Sequence, residues 1–151
     1  MYIPGSIFYF KPFYFAEGGS KPKYFITLYS NDGNVIVAAL PSSQDYVPGQ
    51  VEKKHGCLNY PEGDFNAYYF SPVMPITTTG WSFPVHTFIY GNWIKSLDLG
   101  ILQATYQVEG VDYDIIGRLT QAEYDSVIQC LLKARTLKNK IRRALETAAY
   151  Q

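Results

Sequence analysis

The sequence predicts a single α+β domain, mainly β, in which a small barrel is followed by a C-terminal helix. Three observations point there. The 14 Tyr and 9 Phe are heavily concentrated before Tyr113, and aromatic side chains favour strands. Two apolar runs flank Asn31-Asp32-Gly33, a strong hairpin signal. From Thr120 onward the apolar period becomes that of a helix. At 151 residues, with no repeat and no low-complexity linker, the chain suits one domain. The barrel is expected over about residues 1–117 and the helical segment over about 120–148.

The elements follow in order. Ser6–Phe10, "SIFYF", reads as the first strand. Lys11 to Pro22 carries two prolines and paired glycines, and predicts a loop. Tyr24–Ser30 and Asn34–Leu40 are apolar at nearly every position, as strands buried on both faces are. Pro41 to Gly63 loses any period and gathers Pro, Gly, Asn and Lys; a structureless loop of that length is long for a compact domain and often functional. Phe65–Ser71 and Phe83–Tyr90 are strands, and Asn92–Leu97 continues or pairs with the latter. Asp98 to Gly110 fits either a short helix or a strand.

Thr120 and Glu123 form a T-x-x-E capping box, which satisfies two amide groups at a helix start. Tyr124, Val127, Ile128, Leu131 and Ala134 recur at helical spacing, continued by Leu137, Ile141 and Leu145, with a break expected near Thr136. Lys133, Arg135, Lys138, Lys140, Arg142 and Arg143 form a basic face that suits either phosphate contacts or solvent.

Net charge is zero, which argues against bulk nucleic-acid affinity but leaves room for a local basic patch. Cys57 and Cys130 lie far apart and do not suggest a disulfide-stapled secreted protein. The opening stretch lacks a basic n-region, and its apolar run is interrupted, so no signal peptide or membrane span is expected and the cytoplasm is the default.

Read in order, "PGSIFYF…GGSKPKYFITLYS", "VIVAALPSS", "TFIYGNWIKSL" and "GRLTQAEYDSVIQCLL" resemble the MazF/PemK-like (Kid-type) toxins of toxin–antitoxin systems. The resemblance covers most of the chain. It implies an SH3-like barrel, a homodimer and a cognate antitoxin. The implied activity is metal-independent endoribonuclease cutting of single-stranded RNA through attack of the ribose 2′-hydroxyl, with no cofactor. The matching basic position before the proline holds Lys21, where the family usually has arginine. An ammonium is a point charge and does not reproduce a guanidinium fork, so a non-catalytic barrel that binds RNA or a protein partner is the alternative.

Such cleavage needs a base, a proton for the leaving oxygen, and positive charge or donors at the phosphorane. By the resemblance Lys21 supplies charge and Ser42 and Ser43 supply hydrogen bonds, both groups facing one cleft. Lys23 is added from proximity as an RNA-binding residue. His55, in a loop with Lys53, Lys54 and Tyr60, is the acid or base if that loop covers the site, the other three then touching RNA. His86 fits a structural place on the sheet. No metal is expected, because His55-Gly56-Cys57 is the only pair of potential ligands at short spacing.

Overall fold

The computed structural model describes residues 2–31, 33–40 and 46–150, with Asn92 described by its backbone alone. The strands are β1 (Ser6–Tyr14), β2 (Ser20–Ser30), β3 (Asn34–Ala39), β4 (Gly56–Tyr60), β5 (Phe65–Phe70), β6 (Thr87–Tyr90), β7 (Ile94–Asp98) and β8 (Tyr113–Arg118). The helices are α1 (Leu99–Thr105), α2 (Gln121–Leu131) and α3 (Asn139–Ala149). Five strands pair in the order β7-β3-β2-β1-β8 and three in the order β4-β5-β6. All the pairs are antiparallel.

The mainly β reading with a helical C-terminal segment holds, but the strands do not close a barrel. A 3-10 turn at Gly91–Trp93 carries the chain off β6, and β7 then pairs with β3 in the other sheet. Residues 92–97 therefore neither continue nor pair with the preceding strand. The larger sheet keeps two edges, β7 and β8.

The β2–β3 hairpin forms as expected, and both its faces are covered. On one side Ile26, Leu28, Ile36 and Ala38 meet Phe70 and Ile89 of the smaller sheet, together with Val127, Leu131 and Leu145 of α2 and α3. On the other, Phe8, Phe10, Phe25, Val35 and Val37 lie under Tyr2, Leu102, Tyr106 and Tyr113. Two-sided burial thus comes from layers, not from a barrel interior. A third cluster of Leu58, Phe65, Tyr69, Phe88 and Tyr90 covers the outer face of the small sheet, with Val47 and Val51 against it.

Two segments expected to be loop are strand. β1 runs through Pro12 to Tyr14 because the register with β2 shifts between Phe10 and Phe13, and a bulge accommodates the missing proline amide. Lys21-Pro22-Lys23 is consequently part of β2, opposite Phe13 and Phe10. β4 lies inside the supposed long loop and zips onto β5, Leu58 opposite Ala67.

Helix α2 starts where the sequence places it: Thr120 Oγ1 accepts from the Glu123 amide at 3.2 Å. The reciprocal half of the capping box is absent, since the Thr120 amide donates to the Ile76 carbonyl at 3.0 Å. The break near Thr136 is real and separates α2 from α3. Arg142, part of the basic run, turns inward across it, donating to Leu132 O at 2.7 Å and also to Ala134 O. Leu132 is the C-cap of α2, so this cation also opposes the negative end of the helix dipole. Arg142→Ala is therefore expected to lower unfolding free energy by about 1.5–3 kcal/mol, the range for hydrogen bonds from a charged donor. Urea melts check this, with Arg143→Ala, at an exposed site, as the silent control.

Candidate functional site

Directly opposed residues on antiparallel strands share a face. Lys23 pairs with Phe10, Lys21 with Phe13, and Lys95 of β7 with Val37 of β3. All three lysines therefore project from the face that carries Phe10, Phe25 and Val37. The Lys21 and Lys23 ammonium groups lie 6.0 and 5.7 Å from the centre of the Phe15 ring. Further rings line the same face. Phe13 and Tyr14 each stack on Tyr106, at 5.6 and 6.1 Å, and Tyr14 is 58% exposed. The Tyr106 hydroxyl accepts from the Tyr14 amide at 2.8 Å, which fixes that wall.

The charges acting on Lys23 are cationic. Lys23 is half-buried, and its amine is held below the usual lysine range, first by burial and then by the charges of Lys21 and Lys95. A lysine so placed carries more neutral amine at a given pH than a solvated one, the condition for a proton acceptor.

Ser42 and Ser43 lie outside the described residues. Leu40, just before them, donates its amide to Tyr24 O at 3.2 Å, so the described end of the β3 segment lies beside the strand that bears Lys21 and Lys23.

His55 sits elsewhere, among the second sheet and α2. Its Nδ1 accepts from the Ser71 amide at 3.1 Å, which places the ring proton on Nε2, donated to Glu123 Oε2 at 2.8 Å. The Tyr68 hydroxyl donates to the same oxygen at 2.5 Å. Side-chain exposure is 16% for His55 and 14% for Glu123, so this is an inward latch between β5, the start of β4 and α2. Burial, then the bond to Glu123, pushes the Tyr68 hydroxyl far above its ordinary range. Glu123, read from sequence as half of a capping box, is the centre of this cluster.

Lys53 is exposed and rests over the rings of Tyr69 and Phe88, at 5.9 and 5.6 Å. His86 is exposed too, with its Nδ1 joined to the Tyr69 hydroxyl. Lys54 is exposed and Tyr60 half-buried at the end of β4. Among the described residues, no hydrogen bond or ring contact joins His55, Lys53 or Tyr60 to the Lys21–Lys23–Lys95 face.

Cys57 and Cys130 are bonded to each other, their Cα atoms 5.4 Å apart. The expectation from their spacing is thereby corrected. β4 pairs with β5, and β5 packs beneath α2, so residues 73 apart in sequence become neighbours. Their thiols are not available as nucleophiles or metal ligands in this state.

Lys95 and Tyr106 were not legible as site residues. The only hint is that Lys95 interrupts the apolar pattern of "NWIKSL", and nothing local says which strand it joins. Among the described residues no helix is long and apolar enough to cross a membrane. Comparisons with protein-family models, with curated proteins and with solved structures return no match.

Proposed function

We propose that the Lys21–Lys23–Lys95 face binds single-stranded RNA, and that the chain is a MazF/PemK-like endoribonuclease that cuts it without a metal. One observation carries the reading: three ammonium groups from two strands converge beside a wall of exposed and half-exposed rings. Cations that track the backbone beside faces on which bases stack are what single-strand binding requires. In this reading neutral Lys23 takes the 2′-hydroxyl proton as that oxygen attacks phosphorus. Lys21 and Lys95 hold the charge that develops on the phosphoryl oxygens. The bond to the 5′-oxygen breaks, and that oxygen takes a proton from a charged lysine. The paired sheets with C-terminal helices are read as an opened relative of the family's SH3-like barrel.

The groove beside the lysines, about 350 Å3 and lined by Phe13, Tyr14, Leu97, Ile101 and Tyr106, is the surface offered to an antitoxin segment. A homodimer and a cytoplasmic setting belong to the same proposal. The second reading, a binding module without cleavage, is favoured by Lys21 at the family's arginine position and by His55 having both nitrogens occupied away from the lysines.

The test is unstructured RNA incubated with the protein in EDTA. Cleavage is expected, with Lys21→Ala about 100-fold slower, the loss typical of one transition-state donor. Its melting temperature should be nearly unchanged, because Lys21 is exposed. RNA retained on the protein but intact selects the binding module. RNA neither bound nor cut removes the nuclease and the RNA-binding module, and leaves only a module for a protein partner.

A further inference from the structure

A second cleft lies at the end of the small sheet, where β4, β5 and β6 meet the turn joining α2 to α3. Its volume is about 240 Å3, and Tyr90, Trp93, Asn59, Asn66, Lys133 and Arg135 are among its lining residues. We propose that it binds a nucleotide, with the base against Tyr90 and Trp93 and the phosphate on Lys133 and Arg135.

The floor of the cleft is built from two amides. Asn59 and Asn66 are direct partners across β4 and β5. Asn66 Nδ2 donates to Asn59 Oδ1 at 3.1 Å and to Cys130 O at 2.8 Å, which fixes the orientation of both amides. Asn66 Oδ1 is left buried with no hydrogen-bond partner, an unusual state for a polar atom. It lies against Gly91, where an added β-carbon would come within 2.7 Å of it and 2.8 Å of Ala134 Cβ. Glycine at that position lets Asn66 and Ala134 pack closely against the backbone of the 3-10 turn. Asn59, whose oxygen is engaged, still has its amide donor. That donor suits an acceptor atom on the edge of a nucleobase.

The walls supply the rest. Tyr90 and Trp93 are in tilted ring contact, centroids 6.1 Å apart; Tyr90 is buried with its hydroxyl donating to Tyr46 O at 3.1 Å, and the half-buried Trp93 offers the more open ring. Lys133 and Arg135 sit on a turn that Arg142 holds in place through Leu132 and Ala134. Arg135 faces Asp64 at 3.6 Å with both side chains about two-thirds exposed, a weak pair that leaves the guanidinium free to swing to a phosphate. At about 240 Å3 the cleft is below the roughly 300–1,000 Å3 of a drug-sized site, so the base enters and the phosphate stays at the cationic rim. A base alone has no use for two cations, and a phosphate alone has none for the rings and amides.

Trp93 and Trp81 are the only tryptophans, and Trp81 packs elsewhere, against Tyr24 and Phe83. In a Trp81→Phe protein, Trp93 emission is titrated with the four nucleoside 5′-monophosphates, a five-nucleotide RNA, uncharged nucleosides and inorganic phosphate. A saturable change with at least one monophosphate is expected, about tenfold weaker in Lys133→Ala/Arg135→Ala and tighter in Asp64→Asn. Nucleoside or phosphate alone should bind at least tenfold more weakly. A response to the RNA alone assigns the site to a strand, and a response to monophosphates assigns it to free nucleotide. No saturable change with any of them, or affinity untouched by the double substitution, overturns the proposal. The double variant retains the Lys21–Lys23–Lys95 face, so RNA cleavage in EDTA is scored separately and the two proposals fail independently.

Discussion

Reducing the Cys57–Cys130 bond is expected to remove about 4 kcal/mol of stability without changing the fold. The bond closes a loop with a sequence separation of 73, and in the chain-entropy account a loop of that length constrains the unfolded state by about this much. Little opposes the loss on the native side. Cys130 is 1% exposed among the residues of the main core and stays packed there as a small apolar side chain, while Cys57 is exposed. Urea melts with and without reductant measure the effect, with Cys57→Ser as a non-reducible match for the reduced protein. The reduced chain should also show a steeper denaturant dependence, because its unfolded state exposes more surface. Coincident oxidised and reduced midpoints would refute the claim. The compartment then matters: cytosolic thiol buffers open most disulfides, so in the proposed cytoplasmic setting the protein would work from the less stable, reduced form.

Much of the fold was legible because its signals are local. The β2–β3 hairpin announces itself through two apolar runs around Asn31-Asp32-Gly33, and the start of α2 through Thr120. What escaped depends on contacts between distant segments. β4 and β8 are short edge strands with few buried positions, and each is defined by its partner more than by its own pattern. The second half of β1 hides behind Pro12, whose bulge looks like a loop until Phe13 is seen opposite Lys21. Barrel closure failed at a single turn, Gly91–Trp93, which sends β7 to the edge of the other sheet. That same diversion delivers Lys95 to Lys23. Two of the three lysines of that face were therefore readable, Lys21 and Lys23 at one strand, and the third was not. The link of His55 to Glu123 was equally hidden, since 68 residues separate them and Glu123 already had a sufficient local explanation as a capping residue.

Above pH 10 the protein is expected to unfold steeply, driven by buried tyrosines. Tyr2, Tyr68 and Tyr124 are each less than a tenth exposed. Burial is the first cause that raises each hydroxyl; Tyr124 goes to about 12, and Tyr2 and Tyr68 go higher. Tyr124 donates to Leu28 O at 2.5 Å and Tyr68 to Glu123, whereas the Tyr2 hydroxyl is buried without a partner. In the unfolded chain these groups ionise near pH 10. Between that pH and their native values the native state holds protons that the unfolded state has lost. Stability is therefore unaffected by them below pH 10, and falls above it by about 1.4 kcal/mol per pH unit for each tyrosine. Three together give a loss of about 4 kcal/mol per unit. Lys23 acts in the opposite sense: its native amine releases its proton earlier than the unfolded one, so rising pH relieves a penalty there, and that relief is complete by about pH 10.5, just as the tyrosines begin to act. Tyrosinate absorbance followed together with circular dichroism tests the account. The buried tyrosines should ionise in one cooperative step that coincides with loss of secondary structure. Tyr2→Phe should flatten the pH slope by about a third without loss of stability at neutral pH, because the hydroxyl it removes bonds to nothing. Gradual ionisation of every tyrosine around pH 10, with the sheets intact, would mean that these hydroxyls are not sealed in the packed layers on either side of the large sheet.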